Sequence, residues 1–161
     1  MVQEKICIVN QKFFVGDINN DKIKDTAFIT LKRNIETDEI ECGEKNCYIT
    51  IKFAENIPEI SFDQSLGASV MKTEDLNNDK ANEIIIFSRT YEGWWNHISV
   101  CSLQNGEWKE IAKTKGFMSG YDEDFENRIV KENNQYYLIG ENQWEEDENG
   151  EFKKIKVKIE Q

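Results

Sequence analysis

Two stretches of the chain carry oxygen-bearing side chains at a spacing suited to binding a cation. They cover residues 17–25 and 75–83 and share nine positions: Asp, Ile or Leu, Asn, Asn, Asp, Lys, two variable residues, then Asp or Glu. Positions one, three and five place three short side chains inside a tight turn, and another carboxylate follows at position nine. Ca²⁺ takes about six to eight oxygen ligands, which this spacing can supply with one backbone carbonyl and water.

The expected ligands occupy the alternate positions of each stretch. A backbone carbonyl at position seven adds to the four side chains in each loop. The predicted sets are Asp17, Asn19, Asp21, Asp25 and the carbonyl of Ile23 in the first loop, and Asp75, Asn77, Asp79, Glu83 and the carbonyl of Ala81 in the second. Calcium is the cofactor that these oxygen sets predict.

Two other interpretations of the same residues are an EF-hand and a turn without a metal ion. An EF-hand requires a glutamate at position twelve and flanking helices. Phe28 and Ile86 occupy that position, and the segments that follow the loops are rich in β-branched and aromatic residues, which favour strands. Metal-free Asx turns are the simpler alternative, because Asn and Asp side chains hydrogen-bond their own backbone without an ion. The EF-hand interpretation fails, and the metal-free one stays open.

The loops and the strand-like segments around them resemble the FG-GAP or VCBS-type repeat, whose loops read D-x-N-x-D-G-x-x-D before a strand. The resemblance covers residues 13–31 and 71–88, and no third copy is clear after Trp108. It implies calcium in the loops and an architecture of β-propeller blades or related β-repeats. One departure is that Lys22 and Lys80 stand where the family has glycine, at a position that often needs a positive φ.

Composition restricts the classes of partner. The chain has 161 residues with a net charge of −11, which argues against nucleic-acid binding, since phosphate contacts need clustered lysines and arginines. The same charge favours cation uptake or a basic partner. No apolar run approaches the roughly 20 residues of a membrane-spanning helix.

The residues at the start of the chain bear on its location. Met1–Lys5 are polar and do not form the apolar core of an export signal. We expect a periplasmic, extracellular or lipid-anchored surface protein if an export signal was removed, and a cytoplasmic protein otherwise. The resemblance to secreted repeat proteins favours the first.

The four cysteines allow more than one arrangement. Cys42 and Cys47 enclose a polar stretch of turn-forming residues, and a disulfide bond across that turn is geometrically feasible. Cys7 and Cys101 lie in strand-like segments, where they form either a second pair or two buried thiols. A zinc site would need four converging ligands, which these scattered cysteines and the single His97 do not offer.

Alternating apolar and polar residues predict many short antiparallel strands. Residues 47–53 alternate cleanly, and Asn-Gly pairs at 105–106 and 149–150 mark hairpins. No segment sustains a helical period. We therefore predict one all-β domain over residues 1–161, built of antiparallel meanders that resemble propeller blades or an incomplete propeller, with little helix. The expected units are residues 5–60 and 61–115, followed by hairpins over 116–161.

Catalytic motifs are not evident. The single histidine, His97, has no nucleophile motif to serve. Trp94 and Trp95 are adjacent, so that in an extended strand they point to opposite faces and one of them faces solvent as a contact residue.

Three functions remain from the sequence. The leading one is a non-catalytic, secreted or surface-associated binding module, with calcium-capable loops and a protein or glycan partner. The alternative is an acidic inhibitor or immunity-type protein that binds a basic partner. The third is a carbohydrate hydrolase that uses a pair of carboxylates.

Overall fold

Antiparallel strands make up most of the chain. The computed structural model describes residues 6–37, 40, 48–54, 56–63, 65–118 and 125–160. Within these residues the strands are β1 (Ile6–Gly16), β2 (Asp25–Asn34), β3 (Tyr48–Lys52), β4 (Ile60–Asp63), β5 (Gly67–Lys72), β6 (Ile84–Arg89), β7 (Trp95–Gln104), β8 (Glu107–Phe117), β9 (Ile129–Glu132), β10 (Gln135–Glu146) and β11 (Phe152–Lys158). No α-helix occurs among them.

The strands form three antiparallel sheets in which every hydrogen-bonded neighbour is also a neighbour in sequence. The strand orders are β1-β2-β3-β4, β5-β6-β7-β8 and β11-β10-β9, which we name the first, middle and third sheets. None of them closes into a barrel. The prediction of an all-β protein of antiparallel meanders, with an incomplete propeller-like arrangement, is confirmed.

The middle sheet is covered on both faces. In β6, Ile84 and Ile86 pack with residues of the first sheet such as Ile29 and Ile51. The residues that alternate with them, Ile85 and Phe87, pack with residues of the third sheet and the chain after it. Five consecutive residues of β6 are therefore buried, as expected for a strand between two layers.

The first sheet, by contrast, has one buried and one exposed face. Val15, Ala27 and Ile29 are at most 1% exposed and face the middle sheet. The side chains that alternate with them, such as Phe14 and Phe28, face solvent. This is the alternation of an antiparallel sheet with one face in the core.

The third sheet crosses the middle sheet at a point of close contact. A Cβ atom on Gly140 of β10 would lie 2.2 Å from Thr114 Oγ1 and 2.5 Å from the backbone oxygen of Lys115, both in β8. A buried ion pair of Arg128 with Glu141 lies beside this crossing. Glycine is the residue that permits so close an approach between strands.

The two Asn-Gly hairpins form where the sequence predicts them. Asn105 and Gly106 both have positive φ, of 53° and 78°, and connect β7 to β8. Gly150, with a φ of 77°, lies in the turn between β10 and β11. Among the described residues, no helix has the length and apolarity needed to cross a bilayer.

Candidate metal centre

The two predicted loops occupy equivalent places in neighbouring sheets. The first connects β1 to β2, and the second connects β5 to β6. Backbone φ is positive at the fourth and sixth positions of both loops: 60° at Asn20 and Asn78, and 69° at Lys22 and Lys80. Each lysine thus adopts the left-handed conformation that glycine would adopt at little cost, and the two loops share these angles despite the substitution.

In the first loop, aspartate carboxylates accept hydrogen bonds from backbone N–H groups. Asp17 accepts two of them, from Asp21 at 3.1 Å and from Lys22 at 2.9 Å. Asp25 Oδ2 accepts the N–H of Ile18 at 2.9 Å. The first carboxylate therefore sets the curve of the loop, and the last one closes its end.

The second loop repeats these contacts position by position. Asp75 accepts the N–H groups of Asp79 at 3.2 Å and Lys80 at 2.8 Å. Glu83 Oε2 accepts the N–H of Leu76 at 2.5 Å. Glutamate at position nine thus makes the contact that aspartate makes in the first loop.

The predicted carboxylates converge in both loops. Oxygen atoms of Asp17, Asp21 and Asp25 all lie within 4.8 Å of one another, and so do those of the second set, Asp75, Asp79 and Glu83. Both clusters can hold a metal ion. A donor set made only of oxygens fits a hard cation such as Ca²⁺ rather than Zn²⁺, which takes mainly nitrogen and sulfur ligands in proteins.

Asn77 brings an amide group into the second cluster. One of its two terminal atoms lies 3.0 Å from Asp79 Oδ1, 3.1 Å from Asp75 Oδ1 and 3.0 Å from Glu83 Oε1. With nitrogen there, the amide donates hydrogen bonds to the carboxylates and its oxygen accepts one from Ser102 Oγ. With oxygen there, it accepts the backbone N–H of Asp79 at 3.3 Å but also faces oxygens of all three carboxylates. A cation would be needed to hold these oxygens together. The amide orientation therefore separates an ion-free loop from one arranged for an ion.

Asn19 and the residues at position seven complete the predicted sets. Asn19 Oδ1 accepts the N–H of Asp21 at 3.3 Å. The N–H groups of Ile23 and Ala81 donate to Asp21 Oδ1 at 2.8 Å and Asp79 Oδ1 at 2.9 Å. These two bonds are Asx turns of the kind that also form without an ion. The role of the Ile23 and Ala81 carbonyl oxygens stays a prediction.

The carboxylate at position nine is buried in both loops. Glu83 is fully buried, and burial together with the nearby charges of Asp79 and Asp75 raises its pKa to about 7. Burial also raises the pKa of Asp25, with a further contribution from the charges of Asp21 and Asp17. In each loop several acidic groups thus crowd around a buried one, and a bound cation would relieve that repulsion.

A hydrogen bond connects the two loops to each other. The backbone N–H of Asn82, in the second loop, donates to the backbone oxygen of Asp17 at 2.8 Å. The Asn82 side chain also donates to the Thr73 oxygen at 2.7 Å. The space beside Gly16 is filled by the Asn82 side chain, which a Cβ there would approach to 3.2 Å.

Ser102 and Asn82 belong to this site but were not identified from the sequence. Ser102 is buried in β7, and when the Asn77 amide nitrogen donates to its hydroxyl, that hydroxyl donates to Glu83 Oε1 at 3.3 Å. It lies 25 residues from Asn77, its other partner, so no local spacing could have revealed it. Asn82 stands at a variable position of the pattern, and its role appears only when the sheets stack.

The predicted contact residues separate into one exposed and one packed tryptophan. Trp94 is 61% exposed in the turn before β7, and Tyr91 in the same turn is 59% exposed. Trp95 is half-buried, and its ring packs edge-on against Phe117 and Phe152 with ring centroids 5.5 and 4.8 Å apart. Of the predicted pair, Trp94 is therefore the residue that faces solvent, and its role as a contact residue stays a prediction.

The same turn borders a groove of about 660 Å³. Its lining includes Tyr91, Glu92 and His97. Lys115 Nζ donates to Glu92 Oε1 at 3.0 Å, and His97 Nε2 lies 3.4 Å from the other oxygen of Glu92. His97 is thus a surface residue next to a carboxylate.

The cysteines have different outcomes. Cys42 and Cys47 lie outside the described residues, so their predicted disulfide bond stays a prediction. Cys7 and Cys101 are free thiols, which excludes the second pair. Burial raises the pKa of Cys101 to about 12, so this thiol is protonated and unreactive at neutral pH.

Comparison of the chain with protein-family models, with curated proteins and with solved structures found no match.

Proposed function

We propose that this protein is a non-catalytic binding module in which two calcium ions brace neighbouring β-sheets. Each loop would hold its ion through the predicted carboxylates and asparagine. The ions are structural in this proposal, and the partner, a protein or a glycan, contacts the surface around Trp94. A secreted or surface-associated location, where calcium is abundant, agrees with this role.

The observation that carries the proposal is the equivalence of the two loops. Their hydrogen bonds agree to within 0.4 Å at matching positions, as in the pair Ile18–Asp25 at 2.9 Å and Leu76–Glu83 at 2.5 Å. Each ends in a carboxylate that is 6% exposed or less, at Asp25 and Glu83. Burying a carboxylate next to two others is costly unless a cation or protons neutralise them. A simple surface turn would not need to bury that acid.

A cation in each loop would fix the direction in which the next strand leaves the turn. β2 and β6 both begin at or directly after the buried acid, so that holding this acid holds the start of the strand. Because the ion binds the folded chain and not the unfolded one, it stabilises the fold by mass action.

The test is thermal unfolding of metal-stripped protein with increasing calcium. We expect a rise in Tm that saturates at about millimolar ion, as in weak extracellular calcium modules. Asp17→Asn and Asp75→Asn should each remove part of the rise, because they remove a ligand charge and preserve the shape of the side chain. Asp63→Asn, at an exposed aspartate of β4 outside the loops, is the matched control and should leave the rise unchanged.

Calorimetry distinguishes the alternatives. Absence of both heat and thermal shift at millimolar calcium would leave the loops as metal-free Asx turns. Tight, salt-sensitive association with a basic protein would then favour the inhibitor-type alternative. Turnover of a glycan that is lost on changing one acid of the groove, such as Glu92, would favour the hydrolase.

A further inference from the structure

The exposed face of the first sheet combines lysines with apolar side chains in cross-strand rows. Lys12 of β1 pairs with Phe28 of β2, which in turn pairs with Lys52 of β3. Ile8 of β1 pairs with Lys32 of β2 further along the strands. We name nine outward side chains of these three strands the lysine face: Ile8, Asn10, Lys12, Phe14, Phe28, Thr30, Lys32, Thr50 and Lys52.

The lysine face has a charge opposite to that of the whole molecule. The chain carries a net charge of −11, yet this face has three lysines and no acid. The neighbouring strand β4 and the residue before it add two acids, Asp63 and Glu59. None of the three lysines forms an ion pair with a described residue. Lysines elsewhere, such as Lys109, Lys153 and Lys156, each lie within 3.6 Å of a carboxylate.

Apolar side chains project from the face between the lysines. Phe14 is 81% exposed, Ile8 64% and Phe28 39%. Phe14 lies two residues from Lys12 on the same side of β1. Phe14 and Phe28 are diagonal neighbours in the pairing of β1 with β2, and contiguous exposed apolar groups mark interaction surfaces.

The polar groups of the face are already bonded to one another. Thr30 Oγ1 donates to Asn10 Oδ1 at 3.0 Å, and Thr50 and Ser61 share a hydrogen bond of 3.1 Å. The groups of the face that remain available to a partner are the lysine ammonium groups and the apolar side chains. Neither kind of group requires a partner to approach in one fixed orientation. Binding sites for one protein or one sugar instead present directional groups and large aromatic anchors, and protein interfaces are enriched in Tyr, Trp and Arg and depleted in Lys.

We propose that the lysine face binds the surface of an anionic lipid membrane. Lysine ammonium groups would lie among the anionic headgroups, while Phe14, Ile8 and Phe28 enter the boundary between headgroups and acyl chains, as apolar side chains of interfacial segments do. This surface contact is independent of the calcium loops and of the proposed function.

A membrane is also the anionic partner that best tolerates the acidity of the whole protein. A planar surface meets this outer face first, because the middle and third sheets lie behind it in layers about 10 Å apart. Charges beyond a Debye length of about 8 Å are largely screened at physiological ionic strength. A flexible polyanion that wrapped around the protein would also contact its acidic residues, which would repel it.

The experiment is flotation of the full chain with vesicles in the presence of EDTA, which prevents calcium from bridging acids to lipid. Phosphatidylcholine vesicles are compared with vesicles of phosphatidylcholine and phosphatidylglycerol. We expect binding to the mixed vesicles that weakens with salt. A lysine near an anionic surface is worth roughly fivefold in partition, so Lys12→Gln, Lys32→Gln and Lys52→Gln together should lower partition on the order of 100-fold.

Two matched controls separate this face from net charge and from general hydrophobicity. Lys109→Gln, Lys153→Gln and Lys156→Gln together remove the same charge elsewhere and should retain binding. Phe14→Ser should weaken binding, whereas Trp144→Ser, at a still more exposed aromatic residue with 86% exposure, should not. Circular dichroism checks that each variant folds.

Three results would overturn the proposal. They are failure of the unaltered chain to float with mixed vesicles, equal losses for the two lysine triples, and displacement from vesicles by a single-stranded oligonucleotide at equal charge concentration. The last result would assign the face to nucleic acid instead.

Discussion

Glu83 binds its proton more tightly in the folded protein than in the unfolded chain. Its pKa is about 7 when folded against an ordinary value of 4.5, with burial as the main cause. Between these values the folded state holds a proton that the unfolded state releases, so stability falls as pH rises through this window and levels off above about 7. At neutral pH, the ionised carboxylate of Glu83 therefore lowers the stability of the metal-free fold.

Replacing Glu83 by glutamine tests this account at the level of one residue. In calcium-free buffer at pH 8, Glu83→Gln should have a free energy of unfolding higher than that of the parent by on the order of 2 kcal/mol. It should also lose the part of the decline between pH 4.5 and 7 that Glu83 causes. Calcium should no longer stabilise the second loop. Glu107→Gln, in the exposed β7–β8 hairpin, is the control, and an unchanged pH profile in the Glu83 variant would contradict the assignment.

The residues that supply oxygen atoms to the candidate site were predictable from the sequence, but the residues that hydrogen-bond to the loops from elsewhere in the fold were not. Alternate positions such as Asp75 and Asp79 specify which side chains converge, because a tight turn turns them inward. Ser102 reaches the second loop from another strand of the same sheet, and Asn82 reaches the first loop from a neighbouring sheet. These contacts depend on how strands and sheets pack, which local spacing does not encode.

At the scale of single elements, turn positions were predicted better than strand lengths. The Asn105-Gly106 hairpin lies where expected, since few residue pairs suit that turn. The apolar residues after this turn end at Ala112, but β8 continues to Phe117. Residues 113–117 are mostly polar, and the strand extends there because β7 offers partners from Trp95 onwards. Pairing, rather than composition, sets the end of the strand.

The crossing of β10 over β8 should not tolerate a larger side chain. Gly140→Ala would put a Cβ atom 2.5 Å from a backbone oxygen, and a backbone atom can move only with its strand. We expect a loss of about 3 kcal/mol in the free energy of unfolding, which lowers Tm by roughly 6–12 °C in a chain of this size. Differential scanning calorimetry measures both.

Gly116→Ala is the matched comparison within the same region. The nearest atom to its added Cβ is the terminal methyl of Ile98, at 2.6 Å, which can rotate away. Both changes restrict the unfolded chain equally, so the difference between them isolates the contact. Equal or reversed losses would mean that β10 and β8 do not approach as closely as described.

For the molecule as a whole, layering was the least predictable property. Alternation shows which side chains point inward, but not which sheet each face meets. The continuous apolar run of Ile84–Phe87 is consistent with a strand that is covered on both faces. That the first and third sheets both pack on the middle one depends on contacts between residues far apart in sequence.

Stacking also connects the two loops, and the connection should appear in their affinities. The bond from Asn82 N–H to the Asp17 oxygen spans the two sheets. If the proposed function holds, an ion that orders the first loop also fixes the Asp17 oxygen, to which the second loop is hydrogen-bonded. Asp17→Asn with Asp21→Asn, which disables the first loop, should weaken calcium binding at the second by about fivefold, at the lower end of typical coupling between sites.

Isothermal titration of this double variant beside the parent measures the coupling. Asp63→Asn serves again as the control for lost charge. An unchanged affinity at the second loop would show that the two sites are independent. Absence of any binding by the parent would instead contradict the proposed function itself.

The double covering of the middle sheet has a consequence during synthesis on the ribosome. The amino-terminal layer emerges first, and its inner face stays bare until β5 and β6 follow. A nascent chain that has reached Phe117 has both of these layers, yet Ile85, Phe87 and Ile98 still await the segment that carries Leu138 and Ile159. Translation therefore passes through a stage at which one apolar face of the middle sheet is uncovered, and exposed apolar surface of this kind makes a nascent chain prone to aggregation.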